Sequence, residues 1–158
     1  MRSHHPQTLQ WNGDVGGYLT IIDQTALPLN VTTIDCRNLE SVVHAIRVLQ
    51  VRGAPAIGIA AAYGICVGLQ TIDADQCTTQ QFDERLQHCV KQLADSRPTA
   101  VNLFWALQRM QSVTQTLRQA GQLPSPIMKA LLKEAIAIHD EDREMCHAIG
   151  KHGATLLD

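Results

Sequence analysis

The sequence predicts an α+β fold that is mainly α, with short antiparallel strands first and helices after them. Runs rich in β-branched and aromatic residues, separated by glycine and proline, occupy the first 35 positions. Apolar residues then recur at helical spacing from about residue 38 to 155. The 158 residues are 45% hydrophobic and contain five cysteines without a Cys-x-x-Cys pair. This composition is typical of one domain with an ordinary apolar core, rather than a disulfide or zinc scaffold.

The strands are predicted between about residues 9 and 35. Residues 18–23 form the clearest run, bounded by a glycine pair before it and by Pro28 after it. Residues 31–35 are a further short candidate. We therefore expect one or two antiparallel strands near residues 11–23 and another at 31–35.

The first two helices differ in character. Asn38 is a predicted cap for an amphipathic helix whose apolar positions include Val42, Ile46 and Leu49. The second helix, at about 54–69, carries no charge and is too short for a membrane span, so we expect it to be buried. It places small residues four apart on one face, namely Ala56, Ala60, Gly64 and Gly68. Such a face predicts the close approach of another backbone in helix packing, with a ligand as the alternative.

Three more helices complete the predicted fold. Thr78 with Gln81 has the form of a capping box, and Thr99 is a predicted cap for the next helix. A last long helix begins near Pro126 and is expected to end around its two late glycines. We expect its acidic run at 140–142 to be a solvated face, and its candidate core positions are Ile127, Leu131, Ile138, Met145 and Ile149.

Two stretches place an arginine just ahead of a helix start. Arg52 precedes Gly53, Ala54 and Pro55, which predict a turn that enters a helix. Arg97 precedes a proline, which favours an extended backbone at the arginine. A helix N-terminus carries unpaired N–H groups and a partial positive charge, so an adjacent arginine would help to hold an anion such as phosphate.

If both helix starts face one cleft, two guanidinium groups would surround a single phosphate dianion. A plain entry loop with a surface arginine remains the alternative at Arg52. At Arg97 the alternatives are a cap on the preceding helix or an ion pair with Asp95. The sequence therefore indicates an anion site and leaves these alternatives open.

Composition and motifs argue against several other classes of protein. A formal net charge of −2 and 4% aromatic residues offer neither a basic surface nor stacking platforms, so no nucleic-acid partner is expected. The common nucleotide, zinc-protease and hydrolase motifs do not occur and the histidines do not cluster, so we expect no metal and no cofactor. The polar first seven residues lack the apolar core of a secretory signal, which predicts a cytoplasmic protein without membrane contact.

Three motifs resemble the N-terminal part of the methylthioribose-1-phosphate isomerase family. They are Asp-Gln-Thr-Ala-Leu-Pro at 23–28, Arg-Gly-Ala-Pro-Ala-Ile-Gly at 52–58 and Arg-Pro-Thr-Ala-Val-Asn at 97–102. The resemblance extends along essentially the whole chain and includes Ile-Gly-Lys-His-Gly-Ala at 149–154. The same superfamily contains ribose-1,5-bisphosphate isomerases and the regulatory subunits of eukaryotic initiation factor 2B.

The resemblance implies an aldose–ketose isomerisation, methylthioribose 1-phosphate to methylthioribulose 1-phosphate, in methionine salvage. It implies a small antiparallel sheet followed by a helical bundle, and substrate-binding roles for Arg52, Gly53, Ala54 and Arg97. The cysteine and aspartate that form the acid/base pair of this family fall in a second domain that would follow this chain. Residues 1–158 would then be an N-terminal domain with no catalytic residue of its own, inactive when alone.

Two other functions fit the same resemblance. One is a non-catalytic regulatory or assembly module like the initiation factor 2B regulatory subunits, and the other is an isomerase for a different sugar 1-phosphate. The small-residue face and the late apolar pair Leu156 and Leu157 indicate surface that more protein would cover. The expected partners are therefore a sugar phosphate, the C-terminal domain of the family and a second copy in a homodimer.

Overall fold

The computed structural model describes residues 7–156 and has the predicted α+β, mainly α class. Within these residues three strands come first, β1 (Leu9–Asn12), β2 (Tyr18–Ile22) and β3 (Thr33–Cys36). Five helices follow, α1 (Leu39–Arg47), α2 (Ala54–Leu69), α3 (Thr79–Ser96), α4 (Val101–Gln119) and α5 (Pro124–Ala154). The predicted order of strands and helices is confirmed.

The strands form an antiparallel sheet in the order β1-β2-β3. Leu9 lies opposite Ile21, and Leu19 lies opposite Cys36, so alternate residues of all three strands bury one common face. On the other face, Thr20 accepts a hydrogen bond from Asn12 at 2.8 Å and donates one to Asp35 at 2.7 Å. One face of the sheet therefore joins the core while the other carries polar links between strands.

Helix α2 is the centre of the molecule. It is buried from Ile57 to Leu69 and packs against the four other described helices as well as the sheet. A Cβ added at Gly64 would lie 2.9 Å from a Leu93 methyl carbon, and one added at Gly68 would lie 2.6 Å from the Cys89 sulfur. The predicted close packing along the small-residue face is confirmed, because its glycines admit side chains of α3.

The C-terminal end of α2 is held by side chains from other parts of the chain. Gln70 Nε2 donates to the carbonyl oxygens of Val15 and Gly17, at 2.9 and 2.8 Å, in the hairpin between β1 and β2. Arg85 Nε on α3 donates to the Gly68 carbonyl at 2.8 Å. These bonds join the sheet and α3 to the end of α2, where the Gly68 carbonyl also accepts from the Thr71 hydroxyl at 3.2 Å.

Two of the three predicted helix caps are confirmed and one is wrong. Asn38 and Thr78 accept hydrogen bonds from the backbone N–H groups of Ser41 and Gln81, at 2.8 and 3.2 Å. Thr99 does not cap α4, because the Ala100 N–H donates to the Arg97 carbonyl in a tight turn. That turn moves the helix start to Val101, so that Ala100 is the N-cap residue and offers no side-chain bond.

The predicted end of α1 needs correction, whereas that of α5 does not. Helix α1 ends at Arg47, and Leu49 lies beyond it with a left-handed φ of 66°. Helix α5 ends at Ala154, directly after Gly153 and close to the predicted limit at about residue 155, so its predicted end agrees with the structure.

Met145 and Ile149 are 57% and 66% exposed, so their prediction as core positions is wrong. The helical spacing is correct, but the described helices and sheet cover only the first half of α5. Leu157 and the polar residues 1–6, on which two further expectations rest, lie outside the described residues. Over the part of the chain that is described, none of the helices combines the length and the apolar character needed to cross a membrane.

Candidate functional site

A cavity of about 470 Å³ opens at the start of α2. Its walls come from the segment that enters β1, the turn after β2, the first turns of α2 and the middle of α5. The lining residues are Gln7, Thr8, Leu9, Gln24, Arg52, Gly53, Pro55, Ala56, Ile59, His139, Asp142, Arg143 and Cys146. We call this space the Arg52 cavity. It contains the first of the two arginines that the sequence singled out.

The loop that carries Arg52 is fixed by the turn after β2. The Gln24 N–H donates to the Gln50 carbonyl at 3.1 Å, and Gln50 Nε2 donates to Asp23 Oδ2 at 3.3 Å. The Thr25 N–H and hydroxyl both donate to Asp23 Oδ1, at 2.9 and 2.6 Å. These bonds, chiefly the one from the Thr25 hydroxyl, hold the pKa of Asp23 below its usual value. The turn at 23–25 and the loop at 50–53 therefore form one unit beside the cavity.

Gly53 supplies the backbone conformation that turns this loop into α2. Its φ is +92°, a conformation that residues with a Cβ rarely adopt. The Gly53 carbonyl accepts from the Ile57 N–H at 3.0 Å and closes the first turn, while Pro55 occupies the second helical position. No side chain caps this end, so the first N–H groups of α2 are available where Arg52 and Gly53 line the cavity.

A second cavity, of about 370 Å³, lies between the starts of α2 and α4. It shares Pro55, Ile59 and Asp142 with the Arg52 cavity, so the two spaces adjoin. Its remaining lining residues are mostly apolar, namely Gly58, Val101, Asn102, Trp105, Ile138, Glu141 and Met145. We call it the apolar cavity.

The two helix starts approach each other closely at Gly58. A Cβ added there would lie 2.8 Å from the Asn102 carbonyl oxygen, which is too close for a real Cβ. Only glycine therefore allows α2 to lie directly against the first turn of α4. The starts of α2 and α4 are therefore adjacent, which is one condition of the two-arginine phosphate site considered from the sequence.

Arg97 lies outside both cavities. It is the C-cap residue of α3, and its φ of −150° is extended, as the following proline predicted. The ion pair considered with Asp95 is not formed, because Lys91 Nζ lies 2.6 Å from Asp95 Oδ2. Of the four sequence-predicted binding residues, Arg52 and Gly53 line the Arg52 cavity, whereas Ala54 and Arg97 line neither space.

The structure adds a group of residues that sequence reasoning did not single out. His139 lines the Arg52 cavity, and its Nδ1 lies 3.1 Å from the hydroxyl oxygen of the buried Tyr63. The Tyr63 ring stacks on Trp11 with centroids 5.2 Å apart and meets His139 edge-on. Burial, followed by the nearby Arg143, lowers the pKa of His139, and burial raises that of Tyr63.

A helical signal for this group was present in the sequence. His139, Asp142, Arg143 and Cys146 occur at positions i, i+3, i+4 and i+7, so they share one face of α5. The acidic run at 140–142 lies within this spacing and makes it harder to recognise in the sequence. Treating the run as simple solvated surface was therefore incomplete, since Asp142 is only partly exposed and lines both cavities.

One wall of the apolar cavity is fixed by an ion cluster between α4 and α5. Arg109 is paired with Glu134 and makes two bonds to Glu141, at 2.6 and 2.7 Å. Its guanidinium carbon lies 5.4 Å from the centre of the Trp105 ring. The bonds from Arg109 hold the pKa of Glu141 below its usual range. Trp105 and Glu141 are thus held in place on opposite helices.

The buried cysteines are poorly suited to act as nucleophiles. Burial raises the pKa of Cys66 to about 12 and that of Cys89 to about 11, and it also raises the pKa of Cys36. Cys146 is exposed at the edge of the Arg52 cavity. Across residues 7–156, no three His, Cys, Asp or Glu side chains are grouped so that they could hold a metal ion.

Curated relatives match most of the chain. A methylthioribose-1-phosphate isomerase from Rhodopirellula baltica is 46% identical over 140 residues, which cover 88% of this chain and 38% of the relative. A 5-deoxyribose 1-phosphate isomerase from Moorella thermoacetica is 47% identical over 141 residues, covering 89% and 39%. The chain thus spans about two fifths of the length of these relatives.

Two solved structures share the fold. The structure of 5-methylthioribose 1-phosphate isomerase from Pyrococcus horikoshii OT3 matches with a TM-score of 0.78 and 32% identity, over 87% of this chain and 37% of that one. The structure of translation initiation factor eIF-2B, subunit delta, from A. fulgidus matches with a TM-score of 0.77 and 34% identity, over 89% and 38%. The same helices and sheet therefore occur in an enzyme and in a translation factor.

The family model described as the initiation factor 2 subunit family matches residues 50–158, which is more than half of the chain. The matched region contains the Arg52 loop, both cavity-forming helix starts and all of α5. Together with the isomerases at 46 and 47% identity, this match assigns the chain to a family. The chain belongs to the initiation factor 2 subunit family, in the part of it that resembles methylthioribose-1-phosphate isomerases.

Proposed function

We propose that this chain is the sugar-phosphate-binding part of an aldose–ketose isomerase. The substrate would be methylthioribose 1-phosphate, the product methylthioribulose 1-phosphate, and the pathway methionine salvage. The observation that carries the proposal is the Arg52 cavity, an opening with an arginine and an uncapped helix start in its wall. The relatives named methylthioribose-1-phosphate isomerase, at 42–46% identity, supply the substrate class.

In this proposal the phosphate lies against the start of α2. The exposed Arg52 guanidinium donates to two phosphoryl oxygens, and the first N–H groups of the helix donate from the other side. Gly53 keeps this approach open because it has no side chain. Ala54, the first residue of the helix, contributes only its backbone. Arg97 would reach the same phosphate from the turn before α4.

The sugar would extend from the Arg52 cavity toward the apolar cavity. Asp142 lines both spaces and can accept hydrogen bonds from sugar hydroxyls. Ile59, Trp105 and Met145 offer an apolar wall that suits a methylthio group. Relatives named for 5-deoxyribose 1-phosphate make that sugar, which lacks the methylthio group, the natural comparison.

The chain would bind this substrate without converting it. Isomerisation needs a group that moves a proton between C1 and C2, and we assign no residue of this chain to that role. The cytoplasm is the proposed location, since the relatives are metabolic isomerases. The proton-transferring groups would belong to a part corresponding to the remaining length of the relatives, which this chain does not match.

Titration calorimetry with methylthioribose 1-phosphate tests the proposal. The 158-residue chain should bind the sugar phosphate, and Arg52→Ala should raise Kd at least about tenfold, since a hydrogen bond to a charged group contributes about 1.5–3 kcal/mol. Arg47→Ala is a matched control, because Arg47 is exposed on α1 and lines neither cavity. Absence of binding, or an equal loss in both variants, would refute the proposal.

Turnover separates binding from catalysis. The chain alone should form no ketose from methylthioribose 1-phosphate, and mixing it with the C-terminal part of a relative should restore some. Ketose formation by the chain alone would place the acid/base pair within these residues and overturn the assignment. Comparing the affinities for methylthioribose 1-phosphate and 5-deoxyribose 1-phosphate tests the apolar cavity, and we expect the methylthio sugar to bind more tightly.

A second candidate is a non-catalytic assembly module. It is favoured by the likeness to translation initiation factor eIF-2B, subunit delta, at 34% identity. Exposed apolar side chains near α4 and α5, at Val101, Trp105 and Met145, offer contact area for a second copy. A chain that forms a stable homodimer in sedimentation and does not bind the sugar phosphate would support this function. A monomer that binds the sugar phosphate would exclude it.

A further inference from the structure

Tyr63 and His139 form a pair that is held by aromatic contacts and by a hydrogen bond. Tyr63 is 2% exposed, and its ring lies between Trp11 on one side and the His139 edge on the other. Its hydroxyl oxygen lies 3.1 Å from His139 Nδ1. Three elements, β1, α2 and α5, therefore fix the orientation of one imidazole ring at the wall of the Arg52 cavity.

The hydrogen bond also fixes which nitrogen of His139 carries the proton. A buried tyrosine hydroxyl must donate its proton to an acceptor, and among residues 7–156 the structure offers it only His139 Nδ1. If Nδ1 donated instead, the hydroxyl proton of Tyr63 would be buried without a partner. Tyr63 is therefore the donor, and neutral His139 carries its hydrogen on Nε2.

The Nε2–H group is accessible. Within the described residues Nε2 makes no hydrogen bond, and no buried side-chain nitrogen or oxygen there lacks a partner. Nε2 is consequently not buried, and the space that His139 lines is the Arg52 cavity. Because His139 lines the Arg52 cavity, its accessible Nε2–H is the donor through which the ring can contact a ligand in that space.

From this geometry we infer that His139 is a further binding residue of the site, donating from Nε2–H to an oxygen of the bound sugar phosphate, with Tyr63 as its positioning residue. The inference rests on the proposed function. It assigns the ligand contact to a face of α5, opposite the Arg52 loop. The sugar phosphate would then be held from two sides, by a cation on one and by a neutral donor on the other.

The burial of His139, more than the charges around it, suits a neutral donor, since Asp140 and Asp142 act on its pKa in the opposite direction to Arg143. Arg143 and Asp142 line the same cavity, and Arg143 Nη2 lies 2.7 Å from Asp140 Oδ1, with both side chains about half exposed. Burial and the proximity of Arg143 lower the pKa of His139. The imidazole therefore supplies a hydrogen bond without adding another cation beside Arg52 and Arg143.

The test combines nitrogen NMR of His139 with calorimetry on the 158-residue chain. In long-range proton–nitrogen spectra, His139 should show a protonated Nε2 and an unprotonated Nδ1, and Tyr63→Phe should abolish this fixed state. Adding methylthioribose 1-phosphate should shift the Nε2 signal. His139→Ala should raise Kd about tenfold, as expected for one lost bond to a charged oxygen. His139→Gln, whose amide can donate, should recover part of the affinity.

His147→Ala is the matched control, because His147 is exposed on the same helix and lines neither cavity. It should bind like the natural chain. If the natural chain binds and Arg52→Ala fails to, while His139→Ala is unaffected, the inference is wrong and the proposed function stands. If the natural chain does not bind, both are wrong. A protonated Nδ1 would overturn the inference even if His139→Ala failed to fold.

Discussion

The starts of α2 and α4 look alike in the sequence, yet the structure builds them differently. Each has an arginine just before it and a proline close by, Pro55 within the first turn of α2 and Pro98 ahead of α4, and neither has a side-chain cap. At α2, Gly53 turns the chain with a positive φ and leaves Arg52 in the wall of a cavity. At α4, only four residues separate the helix from α3, so Arg97 serves as the end of α3 and lies outside both cavities.

Whether an arginine before a helix start can contribute to a binding site therefore depends on the elements that pack around its loop. The Arg52 loop is bound to the turn after β2 through Gln24 and Gln50, and α5 lies across from it. The Arg97 turn is tied mainly to its own backbone, through the bond from the Ala100 N–H.

The largest effect is expected where the two helix starts touch. Gly58→Ala should destabilise the fold by about 1–3 kcal/mol, because the new Cβ would lie 2.8 Å from a backbone oxygen of Asn102 that cannot rotate away. Gly150→Ala is the control, since open space surrounds that glycine on α5. It should stabilise by up to about 1 kcal/mol. Urea unfolding measures both, and an unchanged midpoint for Gly58→Ala would mean that the starts can separate.

Conservative replacement of each arginine compares their roles in binding. Lysine keeps the charge but loses the planar fork, so Arg52→Lys should raise Kd for methylthioribose 1-phosphate about tenfold. Arg97→Lys should raise it about threefold, because its side chain reaches the site from a turn outside both cavities. Calorimetry checks the pair. Equal losses of affinity in the two variants would support a phosphate site in which both arginines bind alike. An unchanged Kd in Arg97→Lys would exclude Arg97 from the site.

A cap added at α4 should have a smaller effect. Ala100→Ser places a hydroxyl at the N-cap position, where no side chain now accepts a bond, and should stabilise by about 1 kcal/mol. Thr99→Ala should leave the free energy of unfolding nearly unchanged, because Thr99 is not the cap. Thermal melts of both variants test the corrected helix start. A clear loss in Thr99→Ala would reinstate the boundary predicted from the sequence.

The smallest effect concerns the tie beneath the Arg52 loop. Thr25→Ala removes the main bond that lowers the pKa of Asp23, so that pKa should rise toward its ordinary value of 3.8. A lowered folded-state pKa stabilises the fold above the unfolded value and ceases to do so as pH falls through the folded one. The free energy of unfolding of the natural chain should therefore exceed that of the variant above about pH 4, and the two values should converge in stronger acid. Carboxyl-carbon NMR titration measures the shift, and Thr71→Ala is the control.

Much of this architecture could be predicted from local chemistry. The fold class, the order of elements and the caps at Asn38 and Thr78 follow from periodicity and capping residues close in sequence. The exposure of Met145 and Ile149 could not be predicted, because apolar spacing marks a face and does not show whether anything covers it. The predicted cap at Thr99 was wrong for a similar reason, since the turn before α4 makes Ala100 the N-cap residue.

Only part of the candidate site could be predicted from the sequence, for a related reason. Arg52 and Gly53 can be recognised from residue type alone, because the positive φ of Gly53 and the start of a helix depend on residues close in sequence. The contribution of α5 depends on contacts between residues distant in sequence, such as Tyr63 with His139 and Arg109 with Glu141. Helical spacing alone shows that His139 and Arg143 share a face, but only the packing shows which cavity that face borders.

The Gln70 side chain has a consequence for motion. At the C-terminal end of α2, its amide donates hydrogen bonds to two carbonyls of the hairpin. In the middle of the same helix, Tyr63 stacks on Trp11 of β1. Two separated attachments prevent the sheet from pivoting on α2. Motion at the Arg52 cavity is therefore expected in the late, exposed turns of α5 and not in the sheet or α2.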